Sequence, residues 1–288
     1  MHMFNRLKLK DEAVLLFLVL PGLIGLMVFY VVPFVISFYY ALLDNSVSRN
    51  FVGLRNFTEL LSNGAFLLAL RNTAIFMAIC VPLNIVFPLA MALLLNRTRR
   101  LKNIFCLLIL LPLVIPTGST VHFWRSVFGL NGVINGMFFP DAPVNWLDTD
   151  MARTLISFIF IWKSAGYNMV LFLAGLQFIP REYYEYASVE GAGAARKFFG
   201  ITLVYLTPTL FLVFIMSIIN SFKSFKEIYL ISGAYPHQSI YMLQHYMNNQ
   251  FSSLNYQRLT SAAYVLSAFI IALVFAMYYL QNKRAKDL

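Results

Sequence analysis

Six long apolar segments, separated by polar or charged stretches, constrain this chain more than any other feature of its sequence. A helix needs about 20 apolar residues to cross about 30 Å of hydrocarbon, and each segment reaches that length. Charged residues make up only 12% of the 288 residues, about half of what a soluble domain carries. The sequence therefore predicts an all-α membrane protein with six transmembrane helices, approximately over residues 13–42, 73–95, 104–127, 154–179, 198–219 and 260–280.

The first segment follows Arg6, Lys8 and Lys10, an arrangement that also begins a signal peptide. Its apolar run is longer than a signal peptide has, and no small-residue cleavage site follows it. We expect it to be retained as a helix, so that residues 1–288 form a single transmembrane domain. The fourth segment is interrupted by Lys163-Ser164-Ala165-Gly166 and is the weakest of the six.

The distribution of Lys and Arg predicts the orientation. With a cytoplasmic N-terminus, 13 of the 22 basic residues fall in internal segments and at most eight in external ones, while Lys163 lies inside a span. One internal cluster is formed by Arg97, Arg99, Arg100 and Lys102. Inserted proteins keep Lys and Arg on the cytoplasmic side. The chain is therefore predicted to cross the inner membrane of a bacterium with both termini in the cytoplasm.

Several other functions find no support in the sequence. The net charge of +10 comes from short clusters between apolar runs rather than from one basic stripe, which argues against nucleic-acid binding. Cys80 and Cys106 lie inside apolar segments, and the four histidines form no ligand motif, so no metal site is predicted. The dipeptide Gly-Lys of a Walker loop does not occur, and no set of catalytic residues is present. Any ATP must be bound by another chain.

Proline residues inside the spans predict kinked helices. Each proline removes one backbone hydrogen bond, which in lipid must be replaced by a neighbouring helix or by water in a cavity. We therefore expect a packed bundle. The prolines are Pro21, Pro33, Pro82, Pro88, Pro112, Pro116 and Pro208.

The loop between the fourth and fifth segments carries the most distinctive pattern. Pro180 suits the first turn of a helix, Arg181 to Val189 would continue it, and Gly191 and Gly193 would allow a sharp turn. A short helix along the membrane face, ended by glycine, has a shape that a cytosolic partner can hold. An ordinary helical connector is the alternative.

This loop, residues 180–197, resembles the EAA loop of bacterial ABC importer permeases. That pattern runs roughly E-A-A-x-x-x-G-A, and the chain departs from it at Tyr186, Ala195 and Val204. The resemblance implies coupling to an ATPase through the matching positions and the acidic residue beside them. These are Glu185, Ala187, Glu190, Gly191 and Ala192.

The resemblance extends along almost the whole chain and is similar to the carbohydrate-uptake branch of glycerol-phosphate, lactose and maltose permeases. Asn72-Thr73, Trp124 and the segment from Phe225 to Pro236 are among the stretches that carry it. It implies alternating access by a heterodimer with a second permease subunit. Two cytosolic ATPase subunits would hold ATP and Mg²⁺, and an extracytoplasmic binding protein would deliver the sugar. The chain itself would bind no cofactor.

Polar and aromatic residues within or next to the spans are candidates for the solute path, because polar groups in a membrane are costly. Lys163 is the strongest candidate, since an ammonium at this depth needs a partner or water. For each candidate an interhelical hydrogen bond or a core aromatic is an equally good explanation. The candidates are Asn84, Trp162, Lys163, Ser164, Asn168, Asn220, Ser221 and Tyr229.

Other transport classes remain open at this point. A permease for glycerol phosphate, an amino acid, phosphate or a polyamine is the nearest alternative. A proton- or sodium-coupled carrier would need a carboxylate within the membrane. All twelve carboxylates of this chain are predicted in loops or at helix ends. A channel is not excluded by composition.

Overall fold

The computed structural model describes residues 2–44, 48–98 and 102–286, and side chains within residues 14–279 of that part. Arg99 and Arg100 of the predicted internal cluster lie outside the described residues. The described part is almost entirely helical, as the composition predicts. Its α-helices are α1 His2–Leu26, α2 Val32–Ala41, α3 Arg55–Leu61, α4 Gly64–Arg97, α5 Lys102–Val114, α6 Thr117–Phe128, α7 Val133–Phe138, α8 Ala152–Gln177, α9 Arg181–Val189, α10 Ala194–Lys197, α11 Leu203–Tyr205, α12 Thr207–Lys223, α13 Phe225–Ser232, α14 Leu243–Ser252 and α15 Tyr256–Lys286.

Within the described residues, five continuous helical stretches are long and apolar enough to cross a membrane. A sixth candidate is the bent pair of helical stretches that meet at 95°, Lys102–Val114 and Thr117–Phe138. The described part of the chain therefore carries five to six candidate membrane spans, the pattern of a multi-pass membrane protein. The five continuous stretches are Val14–Ala41, Gly64–Arg97, Ala152–Gln177, Thr207–Ser232 and Tyr256–Tyr279.

The third predicted span is not the single helix that its apolar run indicates. Pro116 has no N–H, and its backbone is extended (φ −57°, ψ 143°), so α5 ends before it and α6 begins after it. Its carbonyl accepts hydrogen bonds from the N–H and the hydroxyl of Thr120, at 3.1 and 3.3 Å. Apolar length alone does not reveal such a break.

Proline also explains a widened turn between α1 and α2. Residues Met27–Val31 form a π-helical turn in which the N–H of Val32 donates to the carbonyl of Met27. The next residue, Pro33, would clash with the carbonyl four residues earlier in a regular α-helix. The wider turn relieves that clash and lets the helix continue.

The chain divides into two compact units, and the first contains the chain up to Asn63 together with Gln250–Ala268. In this unit the Tyr264 ring packs against Phe34 and Phe38, with ring centroids 4.8 and 5.0 Å away. Its hydroxyl shares a hydrogen bond of 3.1 Å with the Ser37 hydroxyl. Most of the apolar side chains of α1 and α2 remain exposed, as expected for a helix in contact with lipid or another chain.

The second unit, Gly64–Asn249 with the chain from Phe269, has α8 at its centre. Helices α4, α5 and α12 all pack against α8. The interruption predicted at Lys163–Gly166 does not occur, and α8 is continuous. Gly166 has a packing role instead, because a Cβ there would lie 2.2 Å from the carbonyl oxygen of Ile109 in α5. Small residues allow this close approach of membrane helices.

Candidate functional site

A cavity of about 530 Å³ lies beside the middle of α8 in the second unit. Its wall is mainly apolar, but helices α6, α8, α12 and α13 each contribute polar side chains. A concave apolar space with a few convergent polar groups is the usual form of a binding site. The polar and charged side chains on its wall are Thr117, Lys163, Ser164, Tyr167, Asn220, Lys223, Ser224, Lys226 and Glu227.

An ion pair forms part of the wall of this cavity. The ammonium of Lys163 donates to Glu227 Oε1 at 2.5 Å and to Thr117 Oγ1 at 3.3 Å. The two charged side chains are only 21% and 14% exposed. The pair therefore joins α8 to α13 and, through the hydroxyl, to the first turn of α6.

Glu227 is not among the residues that the sequence predicts for the path, although Lys163 requires a partner of this kind. It lies in the first turn of α13, within the long apolar stretch Thr207–Ser232. A lysine predicted inside a span is the signal that a carboxylate must lie near it. The sequence does not show which of the twelve carboxylates this is.

A second polar cluster lies where α4, α8 and α12 meet. Ser164 Oγ donates to Asn84 Oδ1 at 2.9 Å, and Asn84 Nδ2 donates to Ser217 Oγ at 3.2 Å. Asn168 Nδ2 donates to the backbone carbonyl of Asn84 at 3.0 Å. Asn84 and Asn168 are fully buried and do not line the cavity, whereas Ser164 belongs to both the cluster and the cavity wall. In this conformation the two asparagines hold three helices together.

The predicted loop helix is present as α9 and ends in a Schellman motif. The N–H of Ala192 donates to the carbonyl of Ala187 at 2.8 Å, and the N–H of Gly191 donates to that of Ser188 at 3.1 Å. Gly191 has a φ of +74°, the left-handed conformation that this motif requires. No atom lies within 4 Å of where its Cβ would be, so the backbone conformation alone selects glycine.

One face of α9 is attached to the rest of the unit. Tyr184 shares a hydrogen bond of 2.8 Å with the hydroxyl of Thr202, and the ammonium of Lys197 donates to Ser188 Oγ at 2.6 Å. The other face has no contact of this kind. There Tyr186 is 71% and Val189 88% exposed, beside the exposed carboxylates of Glu185 and Glu190. Helix α9 is thus fixed on one side and exposes a partly apolar face on the other.

The family model described as "Binding-protein-dependent transport system inner membrane component" matches residues 84–287. This range includes the cavity-lining helices and the loop with α9. The chain belongs to this family. The resemblance to importer permeases is thereby confirmed.

Two curated relatives of this permease transport sugars, according to their names. The trehalose/maltose transport system permease protein MalF of Thermococcus litoralis is 28% identical, over 98% of this chain and 98% of that protein. The arabinooligosaccharides transport system permease protein AraP of Bacillus subtilis is 33% identical, over 73% of this chain and 69% of that protein. The full-length match to the first relative leaves no large part of this chain unaccounted for.

A solved structure shares the fold. A chain in the crystal structure of a bacterial ABC transporter involved in the import of the acidic polysaccharide alginate superposes with a TM-score of 0.81. The match covers 98% of this permease and 99% of that chain, at 20% sequence identity. The two chains therefore share the same helical fold.

The structure separates the remaining predicted path residues. Asn220 lies on the wall of the 530 Å³ cavity. Tyr229 lies on a different cavity of about 870 Å³, which His122, Arg125 and Asp148 also line. Trp162 packs edge-on against Trp124 with ring centroids 5.4 Å apart, and Ser221 is buried, donating to the carbonyl of Ile218 at 2.6 Å. Of the predicted path residues, Lys163 and Asn220, together with Ser164, share one cavity.

Proposed function

We propose that this permease is one of two membrane-spanning subunits of an ATP-driven, binding-protein-dependent importer for a sugar or oligosaccharide. The family assignment supports transport, and the names of the relatives MalF and AraP support the sugar. The observation that carries the coupling to ATP is the Schellman-capped helix α9, whose exposed face has no partner within the described chain. The transport chemistry is binding and release of a solute, so no catalytic residue is assigned.

The assembly follows from this role. Residues 180–197 form the cytoplasmic EAA loop. Six spans, with the bent pair counted as one, put both termini on the same side of the membrane, and the distribution of Lys and Arg favours the cytoplasmic side. Two ATPase subunits hold ATP and Mg²⁺, a second permease completes the path, and a binding protein delivers the solute from outside. The exposed apolar side chains of α1 and α2 supply surface for lipid and for the second permease.

Coupling passes through a short series of contacts. The ATPase receives the exposed face of α9, with Glu185 and Glu190 at its edge, while Ala187, Gly191 and Ala192 fix the end of the helix. Movement of α9 reaches Thr202, shortly before the spanning stretch Thr207–Ser232, through the Tyr184–Thr202 hydrogen bond. Because the Schellman motif fixes the direction of the chain after α9, the loop moves as one piece with that span.

The path for the solute is the 530 Å³ cavity. Ser164 and Asn220 offer hydrogen bonds to sugar hydroxyls, and the Lys163–Glu227 pair fixes α13 against α8 at the cavity. Asn84 and Asn168 keep α4, α8 and α12 in register beside the cavity. Trp162, Ser221 and Tyr229 do not line this cavity, and their part in the path remains a prediction from the sequence.

Purification from native membranes through a tag on this chain tests the proposal. We expect an ATPase subunit and a second permease to co-purify. After reconstitution into vesicles with the binding protein, ATP should drive uptake of a sugar but not of glycerol phosphate, an amino acid or a polyamine. A complex without an ATPase, or with two copies of this chain and no other permease, would contradict the corresponding part of the proposal. Uptake of a non-sugar solute alone would overturn the substrate class.

A further inference from the structure

The wall of the 530 Å³ cavity carries more positive than negative side chains. Lys163, Lys223 and Lys226 line it together with the single carboxylate of Glu227. Because Lys163 is paired with Glu227, the two other ammonium groups provide the net charge of the wall. Neither Lys223 nor Lys226 forms an ion pair with any residue that the structure describes.

Both lysine side chains are exposed, and the cavity wall next to them strengthens their electrostatic field. The rest of the wall is largely apolar, with Leu113, Ile159 and Phe160 among its residues. Charges that line a cleft with low-dielectric walls attract an opposite charge more strongly than the same charges on an open surface. A neutral solute gains nothing from this field.

The position of the two lysines argues against a role in membrane orientation. Lys223 ends α12 and Lys226 lies in the first turn of α13, in the half of the stretch Thr207–Ser232 that is proposed to face outward. Lys and Arg that set topology lie at the cytoplasmic ends instead. Because both lysines line the cavity together with Asn220, a bound ligand is a better candidate for their partner than a lipid headgroup.

We propose that this cavity takes a carbohydrate that carries a negative charge. Its anionic group pairs with Lys223 and Lys226, while its hydroxyls bind Asn220 and Ser164. This inference rests on the proposed function and narrows its substrate class. Lysine acts as a point charge and does not select the shape of the anion, so a carboxylate and a phosphate are both recognised.

Binding to the purified permease–ATPase complex in lipid nanodiscs tests this, without the binding protein and its own selectivity. The probes are trigalacturonate and galactotriose, which share the same sugar chain and differ only in their C6 carboxylates, and glycerol phosphate as a small anion. We expect trigalacturonate to bind about tenfold more tightly than galactotriose, the sum of two partly exposed ion pairs. The double variant Lys223→Gln/Lys226→Gln should remove this difference and leave galactotriose binding unchanged.

Arg71→Gln is the matched control, because Arg71 is exposed and does not line the cavity. It should leave all affinities unchanged. Equal or tighter binding of galactotriose, no binding of trigalacturonate, or an unaffected double variant would overturn the anionic substrate class. Glycerol phosphate binding as tightly as trigalacturonate would show that charge alone is read, and would contradict the carbohydrate part. ATP-driven uptake of a neutral sugar would leave the proposed function intact, whereas uptake of no carbohydrate would refute both.

Discussion

Lys163 shows which features of a single residue can be predicted from the sequence and which depend on the folded structure. Its need for a counter-charge follows from the sequence, because an unpaired ammonium within a span is costly. The identity of Glu227 does not follow, because the two residues lie 64 positions apart and meet only after α8 and α13 have packed. Asn84 and Asn168 show the same limit, since a polar residue in a span fits a path or a helix contact equally well. Burial and partners decide between the two.

The Lys163–Glu227 pair should be energetically coupled. Lys163→Gln or Glu227→Gln alone leaves one charge unpaired and should lower the free energy of unfolding by about 2 kcal/mol, less than for a fully buried pair. The double variant should recover most of this loss, because two neutral amides can hydrogen-bond to each other. Thermal unfolding in detergent of the wild type, both single variants and the double variant measures the coupling. Losses that simply add would contradict it.

His245 should make stability depend on pH. Burial lowers the pKa of its imidazole from 6.5 to about 4, and its Nδ1 accepts from the N–H of Met242 at 3.2 Å. Because the unfolded chain binds the proton more readily, the stabilisation is complete above pH 6.5 and is lost as the pH falls to about 4. The full loss is about 3 kcal/mol.

Melting temperatures at pH 7 and pH 4.5 measure this effect. His245→Gln should reduce the difference between the two melting temperatures. His122→Gln, which removes an exposed histidine, should leave this difference unchanged. An equal change with pH in the wild type and in His245→Gln would show that other groups are responsible.

For the helices, the length of each apolar run predicts the approximate position of a span. It does not predict the residue at which the helix begins or breaks. The sequence places the second span at 73–95, but α4 begins at Gly64. Its early turns carry the polar residues Arg71 and Asn72, and Asn72 contacts residues that are far away in the sequence. Asn72 donates to the carbonyls of Gln238 and Tyr241, at 2.6 and 2.9 Å. Such long-range contacts do not appear in a hydrophobic pattern.

The loop helix α9 is the element that sequence predicts best. Its bounds, Arg181–Val189, and its glycine stop follow from local chemistry, because the extended Pro180 directly precedes the helix and Gly191 adopts the left-handed conformation after it. The Schellman hydrogen bonds join residues no more than five positions apart. Its two attachments, Tyr184 to Thr202 and Lys197 to Ser188, involve side chains that sequence spacing does not pair.

The exposed face of α9 should bind the ATPase through Tyr186. Tyr186→Ser should weaken binding of the co-purifying ATPase about tenfold, as expected for an aromatic residue at the centre of an interface. Tyr235→Ser is the control, because Tyr235 is 79% exposed, similar to the 71% of Tyr186, and lies outside the loop. Equal ATPase affinity for both variants would exclude this face as the docking surface.

For the whole molecule, the orientation remains a prediction from the positive charges. With Cys80 and Cys106 replaced by alanine, single cysteines at Asp148 and Gln281 should report opposite sides of the membrane. Asp148 is exposed and is the last residue of a short 3₁₀ turn, and Gln281 lies near the end of α15. A membrane-impermeant maleimide added to intact cells should label position 148 and not position 281. Labelling in the reverse pattern would invert the topology.

Residues 180–197 are proposed to transmit ATP hydrolysis to transport, and substitution of Gly191 tests this role. Asn and Asp both tolerate the φ of +74° better than other side chains, at a strain of order 1–3 kcal/mol, and the space around Gly191 is open. Gly191→Asn and Gly191→Asp should therefore leave the chain inserted and folded. Only the second adds a charge at the proposed interface, beside Glu190.

The measurement is ATP-driven sugar uptake, with ATPase activity, in vesicles that contain the whole complex and its binding protein. Gly191→Asp should abolish uptake, and Gly191→Asn should retain a substantial part of it. Normal uptake by Gly191→Asp would mean that the loop is only a connector between two helices, and would refute its role in coupling ATP hydrolysis to transport.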